Sequence, residues 1–204
     1  MNTTNVEEEK TKLKTGYTTG SCATAASKAA LLSIINQKKI ENIDILLPKR
    51  SYLQIPIDSC GFESDKAKCI VIKNGGDDPD VTHGAEIIVE LSFTEKINEI
   101  EIDGGEGVGI VTKQGLGLEI NKPAINPVPK KMIIENLREA GKEVLLEKGI
   151  RVIISVPKGK ELGPKTDNPR LGIVNGISIL GTSGIVIPFS TAAYAASIRQ
   201  NLDV

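Results

Sequence analysis

The sequence predicts an α+β domain, and three observations predict it. Short segments alternate apolar and polar residues at the period of a half-buried strand. Only two long stretches carry helical spacing, Ser21 to Asn36 and Pro127 to Lys148. Between them the strands follow one another without intervening helices, unlike the regular strand–helix alternation of a doubly wound sheet.

The first helix is announced by Thr18-Thr19-Gly20-Ser21, small and hydroxyl residues placed just before an Ala-rich run. Ala23, Ala26 and Ala30 share a face suited to close packing on a sheet. Ile43 to Leu47 is a short apolar strand closed by Pro48. Leu53, Ile55 and Ile57 alternate with polar residues, and Pro56 marks an edge strand. Lys66 to Lys73 reads as a strand that Asn74-Gly75-Gly76 turns. Ala85 to Phe93, Glu99 to Asp103 and Val108 to Thr112 follow as strands. In the second helix Ile133, Leu137, Ala140 and Val144 form one stripe, with Gly141 placed to divide it. Ile150 to Val156 is β-branched and extended. Beyond it lie glycine-rich loops with short apolar strands such as Ile177 to Leu180, and Ser190-Thr191 caps a final Ala-rich run. The expected organisation is a frayed tail over residues 1–12, one α+β domain over 13–189, and the start of a linker helix or second domain over 190–204.

Composition excludes several classes. The chain has 204 residues, net charge −1, no Trp, three Tyr and three Phe. A near-neutral chain poor in aromatics has neither the cation density for phosphate backbones nor the platforms for base stacking, so no nucleic-acid partner is expected. No apolar run is long enough to span a bilayer, and polar Met1 to Lys14 lacks the apolar core of a secretion signal, so no membrane partner and a cytoplasmic location are expected. Cys22, Cys60 and Cys69 match neither a disulfide framework nor a zinc pattern, and no metal site is expected.

Four loops carry chemistry. Gly16 to Ser21 opens a helix, which offers free N–H groups and a positive dipole end to an anion, or is simply a capped helix start. Gly75 to Gly84 sets Asp77, Asp78 and Asp80 near the single histidine, His83, a grouping for cation, proton or ligand handling, or a solvated turn. Asp103 to Gly109 imitates the glycine loop of Rossmann-type methyltransferases, but the strand-like Ile110-Val111-Thr112 follows where a helix is required. A glycine hairpin, or a close backbone approach to a ligand, fits better. The fourth signal is the pair Lys165 to Gly172 and Ile179 to Gly184, which sets Asn168, Arg170 and an N–H-rich Gly-Thr-Ser-Gly turn for an anion. Four polar glycine loops in one domain suggest a large anionic ligand.

The strings Thr15 to Ala26 (TGYTTGSCATAA), Gly76 to Gly84 (GDDPDVTHG), Gly104 to Gly117 (GGEGVGIVTKQGLG), Ala124 to Pro129 (AINPVP), Asn168 to Val174 (NPRLGIV) and Ile177 to Val186 (ISILGTSGIV) closely resemble the cobalt-precorrin-5B (carbon-1) methyltransferase family of anaerobic cobalamin biosynthesis. The resemblance runs from about Leu13 to the last residue. It implies methyl transfer from S-adenosylmethionine to carbon-1 of a cobalt-containing tetrapyrrole, giving cobalt-precorrin-6A and S-adenosylhomocysteine. It also implies an N-terminal domain like the second domain of ribosomal protein S-five, circularly permuted, followed by a smaller α/β domain missing from this chain.

On the matched motifs, Thr18, Thr19, Gly20, Ser21, Asn168, Arg170, Gly181, Thr182, Ser183 and Gly184 are expected to hold the substrate. Asp77, Asp78, Asp80 and His83 are expected to be catalytic, and Gly105, Gly107 and Gly109 to bind the methyl donor, S-adenosylmethionine. The partner is a cobalt-containing precorrin, with room left for a homo-oligomer. Two other readings stay open: a non-catalytic tetrapyrrole-binding module or inactive fragment, and a magnesium-dependent phosphotransferase, which no GxxxxGK[ST] loop supports.

Overall fold

The computed structural model describes residues 13–191 together with residues 194, 195, 198 and 199. The expected tail over 1–12 lies outside the described residues, as does most of the final Ala-rich run. Tyr194 N–H donates to the Ser190 carbonyl at 3.0 Å, one helical turn at the expected cap.

The elements are β1 (Gly16–Tyr17), α1 (Thr19–Asn36), β2 (Asn42–Leu46), β3 (Tyr52–Pro56), β4 (Ser59–Phe62), β5 (Lys66–Ile72), β6 (Glu86–Thr94), β7 (Ile100–Gly104), β8 (Ile110–Val111), α2 (Pro127–Ala140), β9 (Gly149–Ser155), α3 (Gly159–Leu162), β10 (Ile173–Val174) and β11 (Ile185–Val186). Short 3₁₀ turns follow α2 and α3. Strands with few helices form a mixed fold, as the periodicities predict.

The central sheet has the order β4-β5-β6-β9-β7, antiparallel except where β7 runs parallel to β9. Its alternation places Ala67, Cys69, Val71, Ile87, Val89, Leu91, Ile150, Val152 and Ile154 on the buried side. Lys68, Glu90 and Arg151 are exposed on the other side, the pattern of a sheet covered on one face. Helix α1 covers that buried side. Its Ala23, Ala25, Ala26, Ala29 and Ala30 are fully buried. Small side chains let the helix axis approach closely, and the helix is buried almost all round. The Thr24, Ser27 and Ser33 hydroxyls are therefore satisfied by carbonyls three or four residues back, at 2.7–2.8 Å. Lys28 reaches out to donate to the Asp44 carbonyl and the Glu139 carboxylate, both at 2.9 Å, tying α1 to β2 and α2.

Gly141 does end α2, where a Cβ would lie 2.8 Å from Leu31 Cδ2. Among the described residues the edge strand ending at Pro56 pairs only with β2. Two expectations are corrected. Strands β7 and β8 form no hairpin: β7 joins the central sheet and β8 pairs with β10, so residues 105–109 cross between layers. Ile177 to Leu180 is not a strand but is tied by isolated bridges, Val108 to Ile177 and Ile125 to Ile179.

Candidate functional site

The start of α1 is built by its own neighbours. The Thr18 hydroxyl caps the helix, accepting from Ser21 N–H at 3.1 Å. Gly20 N–H donates to the Leu180 carbonyl at 2.9 Å, and the Ser21 hydroxyl to the Gly184 carbonyl at 2.6 Å. The Thr19 hydroxyl donates toward the Ser178 and Leu180 carbonyls and accepts from Leu180 N–H at 2.9 Å. Thr18, Thr19 and Ser21 are buried. The loop 178–184 thus sits where an anion would meet this helix start, so these hydroxyls hold the loop. Gly181, with φ 140°, lies flat against Thr18, and a Cβ there would collide with its hydroxyl. Ser183 bonds locally to Ile185. Thr182 is exposed and makes no hydrogen bond among the described residues.

The acidic loop is brought to the same end of α1. Asp77 accepts from Lys14 N–H at 2.7 Å and returns a bond to its carbonyl at 3.0 Å. Tyr17 N–H donates to the Asn74 carbonyl at 2.9 Å. Asp78 accepts from Phe189 N–H at 3.1 Å. Asp80 accepts from the Thr82 N–H and hydroxyl at 2.7 and 2.6 Å and pairs with Lys73, whose side chain is 2% exposed. The carboxylates thus face different partners. Among the described residues no group of three or more His, Cys, Asp or Glu is arranged to hold a metal ion.

Beside this loop opens a pocket of about 250 Å³ lined by Tyr17, Pro56, Asp58, Ile72, Lys73, Asn74, His83 and Gly84. Gly75 N–H donates to His83 Nδ1 at 3.1 Å, which leaves Nε2 as the protonated ring nitrogen. The Tyr17 hydroxyl donates to the Ile72 carbonyl at 3.2 Å. Burial raises the Tyr17 hydroxyl, with the Cys22 thiol adding to the rise. Desolvation works to raise Asp80, but the hydrogen bonds from Lys73 and Thr82 and the lysine charge outweigh it and hold the carboxyl below its usual range. Burial pushes the Cys22 thiol up to about 12 against the lowering charge of Lys73, so Cys22 is a neutral thiol at pH 7 and no nucleophile.

The sequence reading missed Lys73. A lysine at the end of a strand carries no pattern, and only Asp80, seven positions on, makes its burial tolerable.

The remaining expected residues lie elsewhere. Gly105, Gly107 and Gly109 are packed against the protein's own chain. A Cβ on Gly107 would collide with the Val156 carbonyl, and one on Gly109 would meet Ile173 and Gly176. Gly105 N–H donates to the Ile154 carbonyl at 2.7 Å and Gly109 N–H to the Ile177 carbonyl at 2.9 Å. Asn168 is buried and accepts from the Ser178 hydroxyl at 3.1 Å, bracing the loop that Thr19 holds. Arg170 is exposed, 4.0 Å from Asp167.

Fold and site together define an α+β domain whose charged pocket is assembled by glycine-rich loops at the start of one buried helix. The chain belongs to the CbiD family, whose model matches residues 6–188. Proteins named cobalt-precorrin-5B C(1)-methyltransferase are similar to it. That of Geobacillus kaustophilus is 52% identical over 97% of this chain and 53% of its own length. That of Leptospira interrogans (strain Fiocruz L1-130) is 47% identical over 95% of this chain and 52% of its own. The chain spans about half the length of the curated relatives it matches. A crystal structure described as a cobalamin biosynthesis protein from Archaeoglobus fulgidus superposes with TM-score 0.66 at 33% identity, covering 92% of this chain and 59% of that one. No helix among the described residues is long and apolar enough to cross a membrane.

Proposed function

We propose that this chain carries the substrate-handling part of an S-adenosylmethionine-dependent methyltransferase acting on carbon-1 of cobalt-precorrin-5B in cobalamin biosynthesis. One observation carries the reading: identity of 47–52% over 95–97% of the chain with proteins of that name. In the reaction the sulfonium methyl–sulfur bond breaks and its electron pair stays on sulfur, giving S-adenosylhomocysteine. The new carbon–carbon bond takes its pair from the macrocycle's conjugated system, so no enzyme nucleophile is required. The protein's work is alignment and exclusion of water, which can be worth several powers of ten.

The pocket beside the acidic loop takes the reacting edge of the ring. Asn74 faces a substrate carboxylate there, with the buried Lys73–Asp80 pair behind it, and His83 moves a proton at the pocket mouth. Asp77, Asp78 and Asp80 hold this wall in place through Lys14, Phe189 and Lys73. Thr182 and Arg170 offer exposed donors for outlying carboxylates. Thr18, Thr19, Gly20, Ser21 and Asn168 support the loops that carry them. The fold is read as the circularly permuted S-five-like domain, spanning 13–189, with 190–204 read as the start of a linker helix or second domain. The protein works in the cytoplasm.

The test uses the product of the whole open reading frame with cobalt-precorrin-5B and S-adenosylmethionine. Mass spectrometry is expected to show one added methyl group and formation of S-adenosylhomocysteine. The His83→Ala variant is expected to turn over more than tenfold slower with its melting temperature unchanged. A near-normal rate would sink the role given to His83, and no methyl transfer by the unaltered product would sink the reaction.

A further inference from the structure

A second cleft, of about 530 Å³, lies over the edge strand β7 and is unused by the site above. Its wall combines Glu101 and Asp103 of β7, Arg151 of β9, Glu119 and Lys122 of the connecting loop, and Lys130 of α2. Glu101 is taken by Lys96. The other five charged groups make no ion pair with one another or with any described residue. Asp103 accepts only its neighbour's Gly104 N–H, at 2.9 Å. Arg151 stands in register with Glu101 on the neighbouring strand and adds to the lowering of its carboxyl, while Asp103, Glu119, Lys122 and Lys130 line the same cleft without an ion pair among the described residues. That arrangement suits a ligand which itself carries both signs. Ile102, Leu118, Pro123, Ile125 and Pro127 add apolar surface to the lining. The volume is within the range of small-molecule sites, about 300–1,000 Å³. It is too small to enclose a tetrapyrrole.

We propose that this cleft is the methyl-donor pocket and takes a zwitterionic nucleoside amino acid, S-adenosylmethionine; the inference rests on the methyl-transfer reading. Lys122, Lys130 and Arg151 meet the ligand's carboxylate. Asp103 and Glu119 meet its hydroxyl, ammonium and sulfonium groups, and the prolines and isoleucines meet its base. Asp103 stands just upstream of Gly105, Gly107 and Gly109, whose own faces are filled by Ser155, the Val156 carbonyl and Ile173. The helix that bears Pro127 and Lys130 packs on the start of α1 through Pro129, whose Cγ a Cβ on Gly20 would approach to 2.7 Å.

The test titrates S-adenosylhomocysteine calorimetrically into the 204-residue chain and into the Lys130→Ala, Arg151→Ala and Glu119→Gln variants, with melting temperatures recorded. Binding by the unaltered chain is expected, weakened tenfold or more by the first two substitutions and less by the third. No binding, or binding undiminished in folded variants, overturns the pocket. So does a loss of cobalt-precorrin affinity alone, which would make the cleft a subsite for a macrocycle carboxylate. Methyl transfer by the whole gene product separates the two ideas. Transfer that persists with undiminished donor affinity in the variants removes the pocket and leaves the reaction standing. Donor binding through these residues without any transfer removes the reaction and leaves the pocket.

Discussion

The loop at residues 74–84 and the loop at residues 104–109 are written in the same language of glycine and acid, yet they do opposite things. At 104–109 protein already fills the space beside every glycine: side chains of Pro123, Ser155 and Ile173 at Gly104, Gly105 and Gly109, and backbone at Gly107. The loop crosses between two sheets, and Val156, Gly159 and Gly176 press on Gly107 from the far side. At 74–84 the chain wraps a buried lysine and leaves a pocket open, and Gly84 has nothing within 4 Å of its missing Cβ. Glycine alone does not distinguish the two cases; only the structure tells whether the space beside it holds protein, as at Gly107, or is open, as at Gly84.

The comparison is broken most directly at those two glycines. Both have positive φ, 72° at Gly107 and 75° at Gly84, so alanine is strained at either. Gly107→Ala adds a collision with the Val156 carbonyl and is expected to cost about 3 kcal/mol or more, near the upper end of point-mutant effects. Gly84→Ala carries the conformational cost alone, about 1–2 kcal/mol. Urea denaturation of both variants checks this. Equal losses would mean that the crossing at Gly107 yields more easily than its contacts imply.

A smaller effect is expected inside the acidic loop. Lys73→Met leaves Asp80 without its cation. The loss is expected at about 2 kcal/mol, below the figure for a fully buried pair, because the Asp80 side chain is 21% exposed. The acid dependence follows from the sign of the Asp80 shift. A carboxyl held low in the folded state adds stability that is present above its unfolded value, about 3.9, and is lost as pH falls below that toward the folded value. The variant has less of this increment to lose. Its thermal melts and those of the unaltered chain should therefore converge as pH is lowered through about 4. Parallel curves would show that Lys73 is not what holds Asp80 low.

Lys73 also shows where sequence reading stops. Helix α1 was legible because hydroxyl and small residues precede a run of alanines, and β6 because Ile87, Val89 and Leu91 alternate over a full strand. Gly141 ended α2 for the reason its propensity suggests. Strand β4, Ser59–Phe62, was invisible because its pattern is set by pairing with β5, Cys60 opposite Cys69, and not by its own composition. The fate of Gly105, Gly107 and Gly109 depends on β9 and residue 176, far away in sequence. The roles of Thr18, Thr19 and Ser21 depend on a loop about 160 residues downstream. Local chemistry announced polar loops correctly, but which of them face solvent is a property of long-range contacts.

That last distinction gives the finest test, between two threonines. The Thr18 hydroxyl caps α1 and is buried, so Thr18→Val is expected to cost about 1 kcal/mol of stability through the lost cap. The Thr182 hydroxyl is exposed, and Thr182→Val is expected to stay within about 0.5 kcal/mol. Substrate affinity should move the other way. Titration of cobalt-precorrin-5B into the whole gene product should show the weaker binding in Thr182→Val, because only that hydroxyl is free to meet a carboxylate. If Thr18→Val binds less tightly while Thr182→Val is silent, the loop over α1 must open to admit substrate. The start of the helix would then be an anion site that its own chain covers at rest.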